Sequence, residues 1–81
     1  MTQAAQTMAD LAVGAKGVVR GYSEAGGAYR ARLLAMGLTK GVQFEIKRVA
    51  PMGDPVEIIV KGYSLALRKG EAQALIVEQE A

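Results

Sequence analysis

Apolar and polar residues change their period twice along this chain. Val42, Phe44 and Ile46 alternate with Gln43, Glu45 and Lys47, as in a strand with one face buried. The alternation slips at Lys47-Arg48-Val49, which predicts a bulge or strong bend. It resumes at Val56, Ile58 and Val60, with Glu57, Ile59 and Lys61 on the opposite face, and again at Leu65 and Leu67. A closing strand follows at Leu75-Ile76-Val77. Near the start, Gly17–Tyr22 reads as a first strand bracketed by glycines that permit bends. Between that strand and Val42 the period is helical: Tyr29, Leu33 and Met36 fall at i, i+4 and i+7, with Arg30 and Arg32 off the stripe. This spacing predicts a helix of about ten residues, Gly37 at its C-terminal cap, and Tyr29, Leu33 and Met36 in the core.

The connections are equally legible. Ala50-Pro51-Met52-Gly53-Asp54-Pro55 cannot sustain a ladder and must link two strands. Lys69-Gly70-Glu71-Ala72 reads as a turn. Residues 1–6 read as frayed, and Thr7–Leu11 as one helical turn ended by Gly14. We therefore expect a partly flexible segment over 1–10 and one domain over 11–79. Five short strands and one helix inserted after the first strand make a mostly-β fold. Strands of this number and length leave exposed edges unless the sheet curls, so a small SH3-like five-stranded barrel is the expected architecture.

Composition narrows the function by subtraction. The 81 residues include no cysteine and no histidine. Without them there is no disulfide framework, no imidazole base, no thiolate nucleophile, and no imidazole or thiolate metal ligand. The expectation is a non-enzyme without a cofactor. Asp54 with Glu57, or Glu24 with Glu71, are too sparse for a built cation site. Ten Lys and Arg against eight Asp and Glu leave a net charge of +2, and the basic residues are scattered. That counts against a nucleic-acid stripe, so an SH3-like RNA- or ribosome-binding module is the rival reading, carried by the Gly14-x-x-Gly17 strand-loop. Tyr22 and Tyr63, with no Trp, give a proline-rich peptide little to stack on. No apolar run is long enough to span a bilayer, and Met1–Asp10 lacks the basic start of a signal peptide, so a cytoplasmic location is expected.

Three segments in order carry a family resemblance: Leu33-Leu34-Ala35-Met36-Gly37-Leu38-Thr39-Lys40-Gly41, then Ala50–Pro55, then Gly62-Tyr63-Ser64-Leu65-Ala66-Leu67-Arg68-Lys69-Gly70-Glu71-Ala72. Together they resemble the FeoA family, ferrous iron transport protein A, over Leu11 to Glu78. Lys40 and Val13 stand where that family often has proline. The resemblance implies an SH3-like fold and a cytosolic accessory role beside a ferrous-iron permease that carries a GTPase domain (FeoB type), with no catalytic site to carry over. The same domain type also resembles the C-terminal module of metal-dependent repressors. Here no DNA-binding helix pair precedes it, which favours the free-standing accessory.

For such a role the contact surface is what matters. Ile59 breaks the inward set of its strand, Met52 sits at a turn with little room for burial, and Leu38 follows the helix cap. Met52, Ile59 and Leu38 are therefore the expected partner or self-association patch, flanked by Arg30 and Arg32.

Overall fold

The computed structural model describes residues 6–80. The expected fraying of residues 1–5 lies outside them. Six strands form one antiparallel sheet: β1 (Gln6–Thr7), β2 (Lys16–Tyr22), β3 (Gln43–Val49), β4 (Val56–Val60), β5 (Tyr63–Leu67) and β6 (Leu75–Gln79), in the order β1-β6-β2-β3-β4-β5. Two helices complete the fold: α1 (Arg30–Ala35), preceded by a 3-10 stretch over Glu24–Tyr29, and α2 (Lys69–Gln73). The mostly-β class and the inserted helix are as expected. The described residues hold six strands rather than five, since a two-residue strand is too short to show a period and β1 is recognisable only from its pairing with β6 at Gln6↔Val77 and Thr7↔Ile76. The sheet is not closed: β1 and β5 remain its two ends.

Alternation sorts the faces as the sequence requires. Phe44, Ile46, Val56, Ile58, Val60 and Leu67 point inward and are buried, together with Val19, Leu75 and Val77 from the neighbouring strands. Ile59 lies on the other face, across from Glu45 on β3 and Ser64 on β5, and is half-buried there. The predicted slip in β3 is a register shift between Ile46 and Arg48. A second shift, between Val19 and Gly21, bends β2 where it meets β6. Lys61 and Gly62 both have positive φ (51° and 85°), as a two-residue type I′ hairpin turn demands.

The segment before β2 belongs to the core rather than to its margin. Met8, in the single helical turn Met8–Asp10, is fully buried, and the Thr7 amide donates to Asp10 Oδ2 at 2.9 Å. That turn ends at Leu11 rather than at Gly14.

In α1 only Leu33 of the expected stripe is fully buried; Met36 is half-buried and Tyr29 is 36% exposed. The short α-helical stretch begins only at Arg30, so Tyr29 belongs to the preceding 3-10 turn and lies off the helix's buried line. Gly37 caps α1 with φ +92°, as expected.

Candidate functional site

The start of α2 ties together parts of the fold from which candidate contact residues project. The sequence suggests a turn there because Lys-Gly-Glu-Ala carries a glycine at its second position. The structure shows a five-residue helix whose first turn is secured by Glu71. Glu71 Oε1 accepts from the Arg68 amide at 2.8 Å, the reach-back bond of a capped helix start. Its side chain is 2% exposed, so it needs a charge partner, and Arg32 of α1 provides one with Nε 2.9 Å from Oε2. The contact lacks the alignment of a hydrogen bond, which leaves Oε2 without a directional donor.

The same turn also holds the β3–β4 connection. Asp54 Oδ1 accepts from the Lys69 amide at 3.3 Å and lies 3.5 Å from Arg68 Nε. Tyr29 covers Gly70 so closely that a Cβ there would stand 2.8 Å from the Tyr29 hydroxyl. Residues distant in sequence thus converge: Asp54 from the connection, Tyr29 and Arg32 from the first helical segment, and Arg68–Glu71 from α2. The reach-back pattern Arg68-x-x-Glu71 is the signal by which this junction was detectable. Two phenols fix the far end of α1: Tyr22 Oη donates to Leu38 O at 2.6 Å and Tyr63 Oη to Met36 O at 3.2 Å.

Glu71→Ala removes both the cap and the ion pair, and is expected to cost about 2 kcal/mol. Arg32→Met is expected to cost about 1 kcal/mol, because its side chain is 68% exposed and water replaces much of what is lost. Urea unfolding of the two single variants and the double variant checks both, with the double variant's loss falling short of the sum.

The structure corrects one of the five expected contact residues. Leu38 is fully buried, because the chain turns inward after Gly37 and its amide donates back to Leu33 O at 3.0 Å. It is a core residue, and its place in the expected patch is corrected accordingly. Ile59 sits mid-strand on the outer sheet face. Arg30 lies on α1 with its guanidinium 5.6 Å from the Tyr22 ring centroid, and Arg32 is committed to Glu71. Met52 is at the tip of the β3–β4 connection, 91% exposed. No group of three or more acidic side chains gathers among the described residues to hold a metal ion, and the chain has no His or Cys to add. No helix among them is long and apolar enough to cross a membrane.

The FeoA domain family model matches residues 6–79. An FeoA-like protein of Clostridium acetobutylicum shares 33% identity and superposes with a TM-score of 0.87, over 100% of this chain and 92% of that one. The zinc-complexed FeoA of Stenotrophomonas maltophilia shares 29% identity at a TM-score of 0.78, covering 94% of this chain and 96% of that one. That protein is described as an SH3 domain protein for which a role as a ferrous iron transport activating factor is suggested. A manganese-dependent transcriptional repressor shares the fold at 18% identity and a TM-score of 0.85, over 98% of this chain and 38% of its own.

Proposed function

The chain belongs to the FeoA family, which is linked to ferrous iron transport and has an SH3-like fold, and from that premise we propose that it is a cytosolic accessory protein acting by contact with the GTPase-bearing part of a ferrous-iron permease. No catalysis enters this reading; what the protein contributes is a shaped surface.

Met52 is the observation that carries the contact reading. Its backbone is left-handed (φ 68°), a conformation that costs an ordinary L-residue about 1–2 kcal/mol. Asparagine or glycine would occupy it more cheaply. At 91% exposure the side chain gains almost no packing in return. The fold therefore has no use for methionine at this position, whereas a partner does: an adaptable thioether at the tip of a fixed turn is suited to filling an apolar socket. The turn is held by the Ala50 amide on Pro55 O (3.0 Å), the Gly53 amide on Ala50 O (2.9 Å), and Asp54 on α2. Ile59 on the outer face and Arg30 on α1 are further proposed contacts, with Arg32, paired with Glu71, the more constrained of the two arginines.

Met52→Asn is expected to leave stability within about 1 kcal/mol of the parent, while Met52→Glu is expected to weaken permease binding by about 2 kcal/mol. Thermal unfolding reads the first. Recovery of the permease from membranes of iron-limited cells on the tagged chain reads the second. Recovery of ribosomal proteins or RNA with no permease would support the rival reading instead.

A further inference from the structure

We infer that β5 is a strand-addition edge, which takes an extended segment of a partner protein with an uncharged middle and acidic ends. This rests on the reading that the protein acts by contact, and it supplies a second mode of contact besides the Met52 knob.

β5 is the last strand of the sheet and pairs with β4 alone. Its register runs unbroken from Val56↔Leu67 to Val60↔Tyr63, so no bulge twists the edge away. In an antiparallel ladder alternate residues turn their amide and carbonyl toward the neighbour, and the rest turn them outward. Among the described residues, no hydrogen bond besides those of the ladder engages the backbone of Tyr63–Leu67. Edge strands are normally blunted by charge, proline, a bulge or shortness. Tyr63-Ser64-Leu65-Ala66-Leu67 has no charge and no proline, and with five residues it is of ordinary strand length. The opposite edge, β1, has two residues and is blunted by shortness. Tyr63, Ser64 and Ala66 are exposed residues of this strand.

Charge decides what can occupy it. Lys61 precedes β5, Arg68 and Lys69 follow it, and Lys47 reaches across from β3 to lie 3.5 Å from Ser64 Oγ. Among the described residues Lys47, Lys61 and Lys69 form no ion pair. A second copy pairing antiparallel about Leu65 would place Tyr63 opposite Leu67 and bring Lys61, in the turn before β5, toward Lys69, at the start of α2, just beyond both ends of the pairing. Like charges brought toward each other are destabilising, so the flanks repel self-pairing. The same flanks attract Asp or Glu at the ends of an incoming strand, and the small Ser64 and Ala66 leave room beside them for β-branched side chains. Strand addition supplies affinity through the backbone and selectivity through these ends.

The test uses the isotope-labelled chain and a synthetic peptide with alternating Val and Thr between two pairs of Glu. At a peptide concentration about ten times its Kd, the outward amides of Tyr63–Leu67 should exchange with solvent roughly tenfold more slowly. The same peptide with Lys at its ends, or N-methylated at alternate residues, should give no protection. Lys61→Glu combined with Lys69→Glu should reverse the preference between the Glu and Lys peptides. The inference is overturned if the Glu peptide protects amides elsewhere or none at all, or if β5 becomes protected on raising protein concentration alone. A permease cytosolic domain that binds and leaves β5 unprotected would overturn the edge and spare the accessory reading. A permease domain that fails to bind would overturn that reading, while the peptide still decides the edge.

Discussion

Leu38→Ala is expected to destabilise the domain by about 3 kcal/mol, the cost of a cavity where a fully buried leucine stood. A domain of this size has only about 5–15 kcal/mol in total, so a single side chain accounts for a large share. The site is poorly able to collapse. Leu38 is held through its amide to Leu33 O and through its carbonyl to the Tyr22 hydroxyl, so the backbone cannot settle into the void without breaking bonds on both sides. Urea unfolding followed by far-UV circular dichroism should show the midpoint falling by roughly 1–3 M, given the slope expected for a small protein. A loss below about 1 kcal/mol would place Leu38 back on the surface.

Gly17→Ala should cost about 2–3 kcal/mol by forcing the sheet apart at its most crowded point. Gly17 is paired on both sides, with Phe44 on β3 and Gln79 on β6. A Cβ there would stand 2.7 Å from the backbone carbonyl of Glu78 and 3.0 Å from the Phe44 ring. The ring can give way, whereas the carbonyl belongs to a ladder and moves only with its strand. Gly21, four residues along the same strand, has open space where its Cβ would be, and Gly21→Ala should be neutral within about 0.5 kcal/mol. Melting temperatures separate the two, since each kcal/mol is worth roughly 4–8 °C in a domain this small.

The contrast between these glycines shows where sequence reading stops. Both look like flexible brackets of a strand, and only the approach of β6 makes Gly17 obligatory. Alternation placed Ile58 inside and Ile59 outside correctly, because a period of two is enforced by backbone geometry alone. It also located the β3 bulge and the Gly37 cap. What it could not reach were elements shorter than a period. β1 is two residues and α2 is five, and each exists because something distant completes it: β6 for the first, Arg32 and Asp54 for the second. Leu38 was misplaced for a related reason. Following a helix cap suggests exposure, but the direction of the chain after Gly37 is set by the two tyrosines, which belong to other strands. The exposure of Met52 was legible, because turn chemistry explained every neighbouring residue and left the methionine over.

The strand order bears on how the protein is made. Val19 of β2 pairs with Val77, and Gln6 of β1 pairs with the same residue. During synthesis the meander β2-β3-β4-β5 can pair as it emerges, each strand against the one before it. The remaining edge of β2 and all of β1 must wait for β6, which follows the other strands of this sheet in the sequence, and until then that side of the core lies open. Completion of the sheet therefore waits on β6: a nascent chain stopped at Ala74 lacks the strand that joins β1 to β2.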